Sequence, residues 1–183
     1  MSEKDDVEII EECLRGHVNA FGLLVDKYQK QIFNGALRMI IDVEDAEDVA
    51  QTVFIKAFEN LKAFNSQYRF FSWLYRILVN ECLNFIKHRK HVRELNLESM
   101  PGTDRQSGNQ EIIDLHQDIQ NALTDLQPDY RMVIVLKHFQ DFSYSEMSHI
   151  LDIPEKTVKS RLYTARQLLK DILTRKGFVA HVE

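Results

Sequence analysis

The sequence predicts an all-α protein: two small helical domains joined by a flexible linker, the second carrying a helix-turn-helix. Three observations carry this. Six Gly and three Pro in 183 residues are too few for the turns of an all-β fold. Apolar residues recur at helical spacing along most of the chain. The rhythm breaks over residues 95–110, LNLESMPGTDRQSGNQ, a polar stretch holding Pro101, Gly102 and Gly108. The expected division is therefore a domain at 1–93, a linker at 94–111 and a domain at 112–183.

The elements follow in order. Asp5 or Asp6 can cap a first helix with Val7, Ile10 and Leu14 inward and Gly16 at its end. Asn19 can cap a second, in which Phe21, Leu24, Val25, Tyr28, Ile32 and Ala36 keep a 3.6-residue period, extended by Leu37 and Ile40. Asp42 opens a third, with Glu44, Asp45, Glu47 and Asp48 where the helix N-terminus favours acids. Its inward stripe is Ala46, Val49, Ala50, Val53, Ala57 and Leu61, with Phe54 and Phe58 off the stripe. Capping and solubility account for the acids; so would a docking surface for a basic partner.

Residues 72–93 form a helix with two unlike faces. Leu74, Leu78, Cys82 and Phe85 share an apolar arc with Tyr75, Val79 and Ile86 beside them. Opposite lie Trp73, Arg76, Asn80, Asn84 and Lys87, leading into a basic end of Lys87, His88, Arg89, Lys90, His91 and Arg93, with Glu81 the one acid. Amides, a guanidinium and an indole can hydrogen-bond base edges and stack on them, and the bases neutralise phosphates. The preceding segment 62–71, KAFNSQYRFF, interleaves aromatics with Asn65, Ser66, Gln67 and Arg69. It reads either as core or as a pocket for an unpaired base.

In the second domain Ile112, Leu115, Ile119, Ala122, Leu123 and Leu126 form one helix, and Pro128 starts another containing Tyr130, Val133, Ile134 and Leu136. Ser143 and Glu146 make a capping box for a short helix with Met147, Ile150 and Leu151. Asp152, Ile153 and Pro154 make a tight turn, and a longer helix follows over 155–173 with Val158, Leu162, Ala165, Leu169 and Ile172 inward. Its outer face carries Lys156, Lys159, Ser160, Tyr163, Gln167 and Lys170, flanked by Thr157, Arg161 and Arg166, with no balancing acid expected before Asp171. A short helix, a sharp turn and a basic helix describe a helix-turn-helix, the alternative being a helical hairpin with a solvated basic face.

Composition bounds the rest. A net charge of −5 argues at first against nucleic acid. The bases nevertheless cluster over 87–93 and 156–176 and the acids over 3–12 and 42–48, and a local patch acts within a Debye length of ~8 Å. No run is apolar enough to cross a membrane and no leader precedes the helices, so a cytoplasmic protein without membrane insertion is expected. Cys13 and Cys82 are isolated at apolar helical positions and read as buried reduced thiols. A metal-dependent nuclease using Asp42, Asp45 and Asp48 is a further possibility, but capping explains those acids more simply. There is no phosphate-cradling Gly loop, H-E-x-x-H or C-x-x-C. No catalytic residue, metal or cofactor is expected.

From about residue 19 to 173 the chain resembles a bacterial RNA polymerase sigma factor of the small extracytoplasmic-function group. DVEDAEDVAQTVFIKAFENLKAF resembles the segment that docks on the polymerase clamp helices, FFSWLYRILVNECLNFIKHRKH the −10 reader, and LQPDYRMVIVLKHFQDFSYSEMSHILDIPEKTVKSRLYTARQLLK the −35 reader. The resemblance implies that Asp45, Asp48, Gln51, Phe54 and Lys56 meet core RNA polymerase. It implies that Asn65, Ser66, Arg69 and Phe70 receive a flipped −10 base, with Trp73, Arg76, Asn80, Asn84 and Lys87 along the adjoining strand. It places Lys156, Thr157, Lys159, Ser160, Arg161 and Tyr163 on the −35 promoter DNA, and it implies an anti-sigma partner. Asp152 and Lys156 stand where the family often has Gly. A linker of residues 94–111 can extend at most ~3.3–3.6 Å per residue, roughly 60–65 Å in all. With the domain widths that bridges about two duplex turns of ~34–36 Å. A stand-alone helix-turn-helix regulator is the alternative.

Overall fold

The computed structural model describes residues 5–96 and 115–177, and among them every regular element is helical. Four helices form the first unit: α1 (Asp6–Leu14), α2 (Phe21–Ile40), α3 (Val43–Glu59) and α4 (Phe70–Asn96). α2, α3 and α4 pack pairwise into a three-helix bundle, and α1 lies against α2. Leu24, Ile32, Met39, Val53, Leu74, Leu78 and Cys82 fill its centre, none of them solvent-accessible.

Three details depart from the sequence expectation. Ile9, Ile10 and Cys13 are the buried residues of α1, whereas Leu14 is 47% exposed, so the inward face is rotated from Val7–Ile10–Leu14. Asn19 does not cap α2. It lies in a 3-10 turn, Val18–Ala20, and α2 starts at Phe21 without a side-chain cap. α4 starts at Phe70, two residues earlier than read, and runs on to Asn96. The expected linker 94–111 thus opens inside the helix, and its residues 97–111, like Ile112, lie outside the described residues. Asp42 does cap α3, its Oδ1 accepting the Asp45 N–H at 3.1 Å.

α2 and α4 approach most closely at Gly35. A Cβ there would collide with the Tyr75 hydroxyl and lie 2.9 Å from Leu78 Cδ2. That hydroxyl donates to the Gln31 carbonyl at 3.0 Å, and burial pushes its pKa well above the ordinary phenol value. Cys13 and Cys82 are buried free thiols, and burial raises both pKa values, so neither is an activated thiolate.

The second unit comprises α5 (Leu115–Thr124), α6 (Pro128–Ile134), α7 (Tyr144–Leu151) and α8 (Glu155–Arg175). α8 packs against the other three, burying Val158, Leu162, Ala165 and Ile172 on Leu123, Met132, Val133, Met147 and Ile150. Both arms of the capping box are present: Ser143 Oγ accepts the Glu146 N–H at 3.2 Å and Glu146 Oε2 accepts the Ser143 N–H at 2.9 Å. Asp152 takes the left-handed conformation, φ 54° and ψ 43°, that lets α7 turn into α8. α6 continues into a π-helical turn, Val135–Phe139, which the sequence period did not reveal.

The two units are packed together through one continuous core. Phe142 is 1% exposed and lies between Phe71 (ring centroids 5.4 Å apart) and Tyr75 (5.1 Å). The Arg38 guanidinium sits 4.4 Å over the Phe139 ring. The buried Arg131 gathers carbonyls from both units: Met39 O at 2.6 Å on one side, Leu123 O at 2.8 Å and Thr124 O at 2.9 Å on the other. Gln120 donates to Leu37 O at 3.2 Å. The C-terminus of α2, with its partial negative charge, is therefore met by donors from the second unit, at Met39 O and at Leu37 O, which also accepts the Ile41 N–H.

Gly35→Ala is expected to lower stability by about 1–3 kcal/mol through overpacking between α2 and α4. Thermal unfolding followed by circular dichroism checks this, and a wild-type midpoint would mean that the helices can part at no cost.

Candidate nucleic-acid interface

Three surfaces gather the residues that the sequence singled out. The first is the outer side of α3. Asp48 and Gln51 are exposed on it, and Phe54 is half-buried. Asp45 pairs with Arg89 of α4 at 3.0 Å, and Lys56 pairs with Glu81 of α4 at 2.7 Å. Glu81 thus answers a lysine on the neighbouring helix and leaves the amide face of its own helix free of acid. Asp42 is engaged as a cap and Asp45 in an ion pair, and among the described residues no group of three metal-ligating side chains converges. Ile55, 59% exposed beside Gln51, belongs to this face; the sequence reading passed over it because an apolar residue off the stripe carries no polar signal.

The second surface is the loop between α3 and α4 together with the wet side of α4. Asn65 Oδ1 accepts the Gln67 N–H at 3.0 Å, a local turn that holds the loop, and Ser66 and Arg69 are exposed. Phe70 requires a correction. It is 2% exposed, packed against Tyr28, Phe64 and Trp73, so it supports the loop from beneath and its ring is not open to a base. Trp73 is half-buried, its ring 5.6 Å from those of Phe64 and Phe70. Arg76 is half-buried, and Asn80, Asn84 and Lys87 are exposed along the helix, followed by exposed His88, Arg89, Lys90 and His91. The amide face is open to solvent because the opposite face, Leu74, Tyr75, Leu78, Val79 and Cys82, is fully packed.

Two further residues here were not singled out by the sequence, Tyr68 of the loop and Ser72 in the first turn of α4. Tyr68 is 44% exposed, and its ring is parallel to that of His149 on α7, 4° from coplanar with centroids 4.0 Å apart. Ser72 is 2% exposed and donates to Glu146 Oε1 at 3.1 Å, while Arg69 Nη1 lies 3.3 Å from the same oxygen. None of these contacts could be read from sequence: Arg69 and Ser72 lie 77 and 74 positions from Glu146, and Tyr68 is farther still from His149.

Burial alone would raise the Glu146 pKa. The hydrogen bonds from Ser143 and Ser72, with the charge of Arg69, outweigh burial and hold the carboxyl below its ordinary value. Because the folded pKa is depressed, the stability these contacts lend is present above the ordinary carboxylate range. It is lost as pH falls through the folded pKa.

The third surface is the outer face of α8. Lys156, Lys159, Ser160 and Tyr163 are exposed, Tyr163 at 67%, while Thr157 and Arg161 are half-buried. The expectation that this face lacks balancing acids fails on two counts. Glu155 holds Lys159 at 2.7 Å and raises its pKa, and Asp129 of α6 lies 3.4 Å from Arg161. A helix register cannot show the second of these, since it crosses between elements. Both pairs are partly exposed and weak enough to exchange for a phosphate.

A short capped helix, a left-handed turn and a basic helix thus stand behind a bundle that exposes amides and an indole. The two halves match known family models in that order: Sigma-70 region 2 over residues 24–92 and Sigma-70 region 4 over residues 116–169. The ECF RNA polymerase sigma factor SigW of Bacillus subtilis is 33% identical over 174 residues, covering 88% of this chain and 92% of that one. The chain belongs to the ECF sigma factors of RNA polymerase. As a sigma factor it directs promoter-specific initiation of transcription. Among solved structures it is similar to CnrH in complex with the cytosolic domain of CnrY (TM-score 0.71, 26% identity, 93% of this chain and 97% of that one). It is also similar to the sigma factor RpoE of Bartonella quintana in complex with the anti-sigma factor NepR (TM-score 0.67, 26% identity, 85% and 98%). Among the described residues of this sigma factor no helix is long and apolar enough to cross a membrane.

Lys159→Ala is expected to weaken duplex promoter binding and to reduce the slope of log affinity against log salt by about 0.9, the share of one phosphate contact. A titration of affinity against salt checks this, and an unchanged slope would remove Lys159 from the interface.

Proposed function

We propose a division of labour among the three surfaces. Residues 1–93 form the unit that docks on core RNA polymerase through Asp45, Asp48, Gln51, Lys56 and the side of Phe54, with exposed Ile55 added to that face. The same unit holds the melted −10 strand: Asn65, Ser66 and Arg69 surround a base that has left the stack, on a loop that buried Phe70 supports from beneath. Trp73, Arg76, Asn80, Asn84 and Lys87 line the path of the adjoining nucleotides. Residues 112–183 place α8 on the −35 duplex through Lys156, Thr157, Lys159, Ser160, Arg161 and Tyr163, and residues 94–111 serve as the linker.

One observation carries this reading. An acid-free row of amides and bases lies open on α4, on the same chain as a helix-turn-helix whose basic face is also open. Such a protein acts in the cytoplasm and works by binding alone. Capturing an unstacked base offsets the few kcal/mol needed to flip it, so strand opening requires no catalytic step, metal or cofactor of the sigma factor's own. An anti-sigma factor is the regulatory partner. Two of the structural neighbours were captured in two-protein complexes, one of them with a named anti-sigma factor.

Asn80→Ala should cost about 1–3 kcal/mol in binding of the melted strand. Permanganate footprinting would then show reduced opening while core polymerase binding remains; equal loss of both would count against the assignment of α4. Asp48→Arg should weaken association with core polymerase in a pull-down, and wild-type recovery would leave the α3 acids with capping and solubility alone. Run-off transcription with core polymerase and no other sigma factor separates this reading from a stand-alone regulator, which would give no transcript.

A further inference from the structure

The cations along one edge of α8 differ in what answers them. Lys159 has Glu155 at 2.7 Å, and Lys137, from the π-helical turn, has Asp141 at 3.5 Å. Both ammonium groups also lie over the Tyr144 ring, 5.2 and 5.7 Å from its centroid. Arg166 follows Lys159 by seven residues, so it stands about 20° round the helix and ~10.5 Å further along it, on the same edge. It is exposed, and among the described residues no carboxylate pairs with it. Its partner there is His138 of the π-helical turn: Arg166 Nε donates to His138 Nε2 at 3.1 Å. An arginine has donors only, so Nε2 carries the lone pair and the ring proton sits on Nδ1. The imidazole is therefore neutral in this contact. Partial desolvation, with the charges of Arg166 and Lys137 beside it, holds its pKa below the ordinary value, so it stays neutral at pH 7 and above.

A carboxylate in the place of His138 would fix Arg166 and also cancel its charge. A neutral imidazole fixes it and leaves the charge whole. With Nε occupied, Nη1 and Nη2 remain as a pair of parallel donors, the arrangement that takes two oxygens of one phosphate. Resting on the assignment of α8 to the −35 duplex, we propose that Arg166 is a further DNA-backbone contact of this helix and that His138 is its positioning residue. Lys159 and Arg166 then meet the duplex backbone along one edge of α8, beside the more central Ser160 and Tyr163. The contact carries affinity and register rather than sequence preference, since every nucleotide offers the same phosphate. A mere staple between the π-helical turn and α8 would use the hydrogen bond alone and would not need an unanswered charge.

The test is the affinity of the full chain for a fluorescein-labelled duplex of random sequence, titrated against salt above pH 7. Arg166→Ala is expected to weaken binding about fivefold and to cut the slope of log affinity against log salt by about 0.9. His138→Ala is expected to weaken binding about threefold, the scale of one hydrogen bond. His138→Gln, whose amide oxygen can accept from Arg166 Nε, should restore about wild-type affinity. In an Arg166→Ala background His138→Ala should change nothing further, because it acts only through the guanidinium. The nitrogen NMR shifts of wild-type His138 should be those of the Nδ1–H tautomer. An unchanged slope in Arg166→Ala would remove the contact. Wild-type affinity in His138→Ala, an equal loss without Arg166, or the Nε2–H tautomer would remove the positioning role. Lys159→Ala distinguishes the two levels. If it lowers the slope and Arg166→Ala does not, the added contact falls and the assignment of α8 to duplex DNA stands. If neither substitution lowers it, both fall.

Discussion

The packing of one face of α4 is the constraint on which the remainder depends. Leu74, Tyr75, Leu78, Val79 and Cys82 are all essentially inaccessible, and the gap for Tyr75 exists because Gly35 carries no side chain. With that face fixed against α2 and α3, the helix has no rotational freedom left, and the residues at steps of three and four on the far side must point to solvent. Asn80, Asn84 and Lys87 are thus displayed by apolar packing rather than by any interaction of their own. A rigid helix presents such groups more accurately than a loop could, as the reading of bases proposed for α4 requires.

Charged groups join separate elements of the structure. Asp45 and Lys56 on α3 pair with Arg89 and Glu81 on α4. Arg131 closes carbonyls of α2 and α5 together. Glu146 caps α7 and reaches Ser72 at the start of α4 and Arg69 just before it. Each pair is at least partly exposed apart from the Arg131 cluster, so each contributes modestly to stability and can be exchanged for a partner's charge. A protein that must bind polymerase and DNA in turn benefits from pairs of that strength, because strong ones would compete with both ligands.

The contact between the two units belongs to the same logic. An aromatic insertion at Phe142 and a guanidinium over Phe139 are non-covalent and lie beside the hydrogen bonds of Arg131 and Gln120 that also join the units. The π-helical turn before Phe142 lies in the segment that carries Phe139 toward α2. π turns are rare and are found frequently at functional sites. Aromatic pairs of this type contribute about 0.5–1.5 kcal/mol each beyond area burial, enough to favour association of tethered units without making it irreversible.

The sequence by itself determined the helices, their inward stripes, the Asp42 cap, the Ser143–Glu146 capping box, the Asp152 turn and the two open polar faces. These follow from interactions within a few residues and from a 3.6-residue period, which any single chain displays. It misplaced the inward face of α1, where Ile9 and Cys13 displace Val7 and Leu14, because so short a helix rotates to suit its neighbours. It placed Phe70 at a base when the ring is needed in the core, since an aromatic signals both roles alike. Only the tertiary structure decided that Glu146 and His149 meet Arg69, Ser72 and Tyr68, that Arg131 bridges two units, and that Asp129 answers Arg161. Such contacts join residues far apart in the chain, and no local rule of spacing carries information about which distant surface a side chain will meet.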